Sequence, residues 1–401
     1  METDCTTQNP PPLPAGTRLL HIGPHKTGTT SVQAALFAAR DTMAAHGVDF
    51  PAHTRHPMEA ALAACARPAM MGDTVPTEGH WRRLVEQVQA TGTRTSVVSS
   101  EFFADAEGDE TIARIVRELG GPGALAGGAE PGTPGRPHVL VTLRPPAKVL
   151  PSQWQQYVQN GLRMGYEDWL DHMLRKPPYE KPTPSFWRRH RHDRLVERWA
   201  GVVGPERVTV VVVDDRDRGG LLRTFESLLA LPAGLLKEVP EAANRSLTSA
   251  ETEMLRRLNI EFRGHGLPDE LYSALVRNGA VLRMKSSCAP GPDDHRIHTP
   301  RWALEEAAAV GAEAGARIGA LGVRVVGDLS LLAEAPSGAH GQPGPPAPGI
   351  APEVAAQALY GALAATAALP GAGTVRSVHR TSSRELLRVL GHRALRRMRR
   401  R

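Results

Sequence analysis

Cysteine is almost absent: Cys5, Cys65 and Cys288 are scattered over 401 residues, odd in number and without a CxxC pair. That argues against a disulfide framework or a zinc site and fits a reducing cytoplasm. The first sixteen residues are polar and proline-rich, without the charged and apolar regions of a secretory signal, so 1–16 reads as a disordered N-terminus and the chain as cytoplasmic. No long apolar run is present either. The alanine-rich stretch Glu353–Leu369 is short and interrupted by Gln357, and alanine contributes little to insertion, so it reads as a soluble helix. A basic body is also missing. From Arg376 onward ten arginines face Glu385 alone, a surplus of nine; with a total of +6, residues 1–375 carry −3. The high pI therefore belongs to a tail, and no nucleic-acid partner is expected.

What is present begins at residue 19. An apolar run (Leu19, Leu20, Ile22) leads into Gly23-Pro24-His25-Lys26-Thr27-Gly28-Thr29-Thr30-Ser31, and a helical pattern follows (Val32, Ala35, Leu36, Ala39). Strand, glycine-containing loop and helix is the geometry that aims backbone N–H groups and a helix N-terminus at a phosphate. Lys26 adds a cation, and Thr27, Thr29, Thr30 and Ser31 add hydroxyls. The order is not that of a Walker loop, because Lys26 precedes Gly28. A second strand, His138–Leu143, ends in Arg144-Pro145-Pro146, and Ser152 lies eight positions after the arginine. A guanidinium can grip a phosphate through two parallel bonds, and a hydroxyl at a helix start supplies another donor.

Lys-Thr-Gly-Thr-Thr-Ser after a strand resembles the 5′-phosphosulfate loop of sulfotransferases, usually written PK[ST]GTT, with His25 placed between proline and lysine. Arg144 and Ser152 are similar in spacing to the pair that holds the 3′-phosphate in that family, although the usual Arg-[ASN]-Pro is Arg-Pro-Pro here. The resemblance covers about residues 17–330. It implies a P-loop-like three-layer α/β fold, a central parallel sheet flanked by helices. It also implies 3′-phosphoadenosine 5′-phosphosulfate as co-substrate, no metal, and a hydroxyl-bearing acceptor: a sugar, glycolipid or secondary metabolite. Lys26, Thr27, Gly28, Thr29, Thr30, Ser31, Arg144 and Ser152 would bind the donor. Arg245, in Asn244-Arg245-Ser246-Leu247-Thr248, would assist at the 3′-phosphate; the other reading of this segment is a helix cap at Ser246 or Thr248.

Sulfonyl transfer builds negative charge on the donor's bridging oxygen, where Lys26 would stabilise it, and the acceptor hydroxyl needs a base. In the resembling enzymes that base is a histidine or glutamate beyond the second strand. Glu101, directly after the short β-like run Thr95–Ser100, is the first choice, with a helix-capping carboxylate as the other account. His25 is the second. Two rival functions remain: a P-loop kinase, against which the lysine-before-glycine order counts, and a non-catalytic nucleotide-binding interaction protein.

The remaining periodicity predicts a single helix over Phe186–Val203 and a strand over Arg207–Val213, buried on both faces. The charge run Arg188–Arg194 could meet an anionic acceptor but reads as a solvated face. His190 and His192 lack a third ligand for a metal. Residues 17–335 would form the catalytic domain, 336–352 a proline, glycine and alanine linker, and 353–401 a helical tail. The end of that tail, Ser383–Arg401, has Leu387, Leu390, Ala394 and Met398 at helical spacing among arginines. Such a helix could rest on an anionic membrane surface, peripheral at the inner face, or end simply in solvent.

Overall fold

The computed structural model describes residues 10–70, 72–121, 135–176, 182–240, 245–292, 294–336 and 349–367. Six strands, β1 (Arg18–His21), β2 (Val48–Asp49), β3 (Thr95–Ser99), β4 (Pro137–Leu143), β5 (Val208–Val212) and β6 (Arg324–Val326), form one sheet in the order β2-β3-β1-β4-β5-β6. Every pairing is parallel. Parallel neighbours need crossovers, and the crossovers place helices on both faces. This explains why β4 and β5 are buried along their whole length and read as continuous apolar or β-branched runs rather than alternating ones.

Helices α1 (Thr29–Ala38), α2 (Asp109–Gly120), α3 (Pro146–Gln159), α4 (His192–Val203), α5 (Gly220–Leu228), α6 (Ser249–Gly264), α7 (Arg301–Ala320) and α8 (Pro352–Thr366) supply the outer layers, with shorter helices between them. The α/β architecture expected from the alternating pattern is the one observed. Two apolar cores result. One surrounds the sheet and includes Val32, Leu36, Trp81, Phe103, Val210 and Phe225. The second is helical, built around Leu150, Trp154, Trp169, Phe186, Tyr272 and Met284. Helix α3 joins the two, since it starts at the end of β4 and buries its apolar side in the helical core.

The chain leaves β1 toward β2, on one side, and leaves β4 toward β5, on the other. The C-terminal ends of β1 and β4 therefore flank the topological switch point, where open α/β sheets form their ligand crevice. Lys26 and Arg144 follow those two strand ends.

Several boundaries differ from expectation. Residues 10–16 are not a free N-terminal stretch: Leu13 is buried in the sheet core, its N–H donates to Leu228 O at 2.8 Å, and Ser227 Oγ donates to Pro10 O at 2.6 Å. The helix over Phe186–Val203 is two helices, Ser185–His190 and α4, broken at Arg191. The alanine-rich α8 packs closely on the Tyr272–Val281 segment. A Cβ on Gly361 would lie 2.5 Å from Gly279 O, so glycine there is what permits the approach. No helix among the described residues is long and apolar enough to cross a membrane. The basic stretch Ser383–Arg401 lies outside the described residues, as do residues 1–9.

Candidate functional site

The loop after β1 keeps its register with both neighbours. Ile22 N–H donates to Leu140 O at 3.0 Å, Ser100 N–H to His21 O at 3.0 Å, and Thr142 N–H to Gly23 O at 2.9 Å. A buried polar chain fastens the three strand ends beneath it. Thr27 Oγ donates to Pro24 O at 2.6 Å, so the 2.7 Å contact between the Thr27 and Thr142 hydroxyls needs Thr142 as donor. His21 Nε2, 3.1 Å from Thr142 Oγ1, must then carry the proton, and Nδ1 accepts from Ser99 Oγ at 2.8 Å. His21 is fully buried, and that burial lowers its pKa to about 4, which matches a neutral ring. The hydroxyl of Thr27 is thus committed to the loop itself, whereas its neighbours are not. Thr29, Thr30 and Ser31 make no side-chain hydrogen bond among the described residues.

Two glycines shape the turn. Gly23 has φ +77°, and a Cβ there would stand 2.8 Å from Glu101 Cβ, so the loop and Glu101 can meet only over a glycine. Gly28, with φ +93°, opens α1 without any side-chain cap, and the first turn of α1 holds no acidic residue. Its leading N–H groups are available to an anion. Lys26 itself is left-handed (φ +66°), a conformation that non-glycine residues adopt at a cost of about 1–2 kcal/mol, and one that clusters at functional sites. Its Nζ donates to Gln156 Oε1 on α3 at 3.1 Å, and burial with the nearby Lys285 pushes its pKa down to about 8.

Arg144 and Ser152 line a cavity of about 270 Å³ on the α3 side, together with Lys148 and Arg296. The Arg144 guanidinium donates to Lys26 O at 3.4 Å and to Asp215 Oδ1, while its Nε is buried without a partner. Ser152 is not at the helix start. It sits within α3, with Oγ donating to Val149 O at 3.0 Å, and helical geometry brings it to the same cavity as Arg144. Arg245 does not join them. Its Nε donates to Cys288 O at 2.8 Å, and its terminal nitrogens serve Ser246 O, Met284 O and both oxygens of Glu251 at 2.6–3.1 Å. All its donors are used to tie the N-terminus of α6, capped by Thr248 and Glu251, to the helix Leu282–Ser287. The cap reading of this segment is the correct one, at Thr248.

On the other side of the loop lies a larger cavity, about 400 Å³. Glu101 and His25 both line it, as does His56, which sequence reasoning passed over. His56 Nε2 lies 3.2 Å from Glu101 Oε2 and 3.1 Å from Ser100 Oγ, and its ring stacks on Phe102. Gln33 Nε2, on α1, donates to the same Glu101 oxygen at 3.0 Å. Burial alone would raise the Glu101 pKa, but His56 and then His25 outweigh it and hold the carboxyl well below the usual range. Glu101 is therefore held ionised beside His56. Burial, then Arg189, lowers His25 to about 3; its Nδ1 has no partner and its edge meets Phe102. No sequence signal marks His56, since His-Pro in a loop of residues 51–57 fits no motif.

The charge run is not a solvated face. The break at Arg191 turns Arg188 and Arg189 toward this cavity, while His190, His192 and Asp193 are buried beside it. Arg189 grips both oxygens of Asp105, at 2.8 and 2.5 Å. No group of three or more metal-ligating side chains occurs among the described residues.

No protein-family model matches the chain, and no curated protein matches it. Among solved structures it is similar to a sulfotransferase from Alicyclobacillus acidocaldarius, at 17% identity and a TM-score of 0.41, over 77% of this chain and 96% of that one.

Proposed function

We propose that the chain is a sulfotransferase that uses 3′-phosphoadenosine 5′-phosphosulfate. The observation that carries the reading is the placement of Lys26 on the loop between two cavities at the sheet's switch point. Arg144, Ser152 and Lys148 line one, and Glu101, His56 and His25 line the other. Two features suit an anionic donor: the uncapped N-terminus of α1 with its unengaged hydroxyls, and, in the first cavity, a buried Arg144 Nε without a partner. The loop N–H groups, Lys26, Thr29, Thr30 and Ser31 would hold the 5′-phosphosulfate, and Arg144 with Ser152 the 3′-phosphate.

The acceptor would occupy the larger cavity. Its hydroxyl oxygen bonds to sulfur as the sulfur–oxygen bond to the 5′-phosphate breaks, and the electron pair passes to the phosphate oxygen. Lys26 stabilises the charge growing there. The hydroxyl proton goes to His56, on the ring nitrogen not engaged by Glu101. Glu101, 3.2 Å from His56 Nε2, orients the imidazole and supports the imidazolium that forms. The role first given to Glu101 thus becomes that of a positioning residue, with His56 as base.

Calorimetric titration with 3′-phosphoadenosine 5′-phosphate against AMP, paired with transfer from labelled donor to alcohols, tests the reading. Preference for the bisphosphate together with transfer supports it. Equal affinity for AMP refutes the donor assignment, and tight bisphosphate binding without transfer to any alcohol favours the non-catalytic alternative.

A further inference from the structure

Around the outer wall of the larger cavity the charges do not balance. Arg67, Arg188 and Arg189 line it, and Arg198 stands behind them, donating to Ala104 O at 3.1 Å and Arg188 O at 3.3 Å. Among the described residues three carboxylates, Asp105, Glu107 and Glu101, answer these four guanidinium groups. Asp105, almost wholly buried, is taken by Arg189, and its backbone carbonyl accepts from Arg67 at 2.9 and 3.0 Å. Glu107 pairs with Arg67 and lies 2.9 Å from Arg188 Nε. One positive charge is left over in a cavity whose lining also includes Met58, Leu62, Phe102 and Tyr157. Arg188 is the group with most to give. Its side chain is only 18% exposed, its Nε lies 2.9 Å from Glu107, and its terminal nitrogens reach Asp105 no closer than 3.7 Å and donate no hydrogen bond among the described residues.

A buried, incompletely neutralised guanidinium cluster is costly unless an anion completes it. A neutral sugar or phenol would leave it incomplete. A phosphate or carboxylate would take two parallel N–H donors from Arg188 or Arg189, the strongest geometry these groups offer. Resting on the sulfotransferase reading for the identity of this cavity as the acceptor site, we infer that the acceptor is an anionic alcohol. Its apolar body lies against Met58, Leu62 and Phe102, and Arg188, seconded by Arg189 and Arg67, receives its phosphate or carboxylate.

The test needs no donor, which keeps it separate from the sulfonyl-transfer reading. Binding of 4-hydroxyphenyl phosphate, 4-hydroxybenzoate and neutral 4-hydroxybenzamide is measured by calorimetry on the full chain. The anionic probes should bind roughly 10- to 100-fold more tightly than the amide, the scale of one charge-assisted contact, and the better of the two names the anion. Arg188→Gln should erase that preference, because it removes the charge that receives the anion, while Glu107, half-exposed, keeps Arg67 as its partner. Arg188→Lys should retain part of it, and matching melting temperatures would show both variants folded. Arg144→Ala, on the donor side, should leave the preference intact. Equal binding of charged and neutral probes, or no binding of either, overturns the inference. So does a preference that survives Arg188→Gln and disappears in Arg144→Ala, since the anion would then sit at the other cavity. Titration with 3′-phosphoadenosine 5′-phosphate is scored independently.

Discussion

The two sides of the Lys26 loop are built by different rules. On the proposed donor side every assigned group lies within ten residues of a strand end: Lys26 and the α1 hydroxyls after β1, Arg144 and Ser152 after β4. The acceptor side gathers His56, Glu101, Asp105, Gln156 and Arg188 from four separate segments, and each touches a group distant in sequence. A strand end fixes a local motif in space, whereas a wall assembled from loops and helix faces has no local signature. For that reason the sheet, the loop after β1 and the nearness of Arg144 to Ser152 are legible in the sequence, and His56 is not.

The largest expected effect concerns the division of labour on the acceptor side. His56→Ala should lower transfer to an alcohol by about 10²- to 10⁴-fold, the usual contribution of a general base, with donor affinity unchanged. Glu101→Gln keeps a hydrogen-bonding partner for the ring and should cost roughly 10- to 100-fold, visible also as a shifted pH–rate profile. Rate measurements with an alcohol rather than an acidic phenol decide between them. If Glu101→Gln is the more damaging change, Glu101 is the base and the original assignment stands.

On the donor side, Arg144→Ala should weaken binding of 3′-phosphoadenosine 5′-phosphate roughly 30- to 150-fold and leave AMP nearly unaffected. Lys26→Ala should behave differently, depressing turnover more than donor affinity, because its charge meets an oxygen that becomes more negative only during transfer. A Lys26 variant with full turnover would move that role to another cation. Lys285, close enough to depress the Lys26 pKa, is the first alternative.

Buried histidines sharpen the contrast in a third way. His21 under the donor loop has both ring nitrogens engaged, while His190 and His192 beside the acceptor cavity have none of theirs partnered. His21→Phe should therefore destabilise by about 1–3 kcal/mol through the stranded Ser99 and Thr142 hydroxyls, whereas His192→Phe should be near neutral. All three rings, with His25 and His138, have pKa values lowered chiefly by burial, to about 4 for His21 and His192 and about 3 for His25 and His138. Depressed folded values mean that the unfolded chain binds protons first as pH falls below about 6.5. The stability these neutral rings contribute is fully present above that pH. It is lost from about 6.5 down to about 4 for His21 and His192 and down to about 3 for His25 and His138, by about 1.4 kcal/mol per pH unit for each of these four. Melting temperatures recorded across this window would show it, and a flat profile from pH 7 to 5 would mean the rings are solvated.

The charge run teaches why periodicity alone misled. Phe186, His190 and Asp193 recur at spacings of four and three, the spacing of one helical face, yet His190 and Asp193 fall on two different helices and both are buried. What periodicity does not show is the break at Arg191, where the side chain turns to Asp193 and Glu313 instead of continuing the helix surface.

The smallest expected effect probes how the donor side waits for its anion. Asp215 holds the Arg144 guanidinium and lies 3.5 Å from Lys148 Nζ, which also reaches Glu334 at 3.2 Å. A 3′-phosphate bound by Arg144 must displace this carboxylate, and both partners of the pair are about one-third exposed. Exposed pairs of this kind contribute about 0–1 kcal/mol, so their loss is a modest tax on binding. Asp215→Asn removes the competing charge while keeping the shape, and it should tighten 3′-phosphoadenosine 5′-phosphate binding by roughly two- to fivefold. Raising the salt concentration should narrow the difference, because partly exposed charges are screened. Weaker binding by Asp215→Asn would show instead that the carboxylate positions Arg144 for the phosphate rather than competing with it.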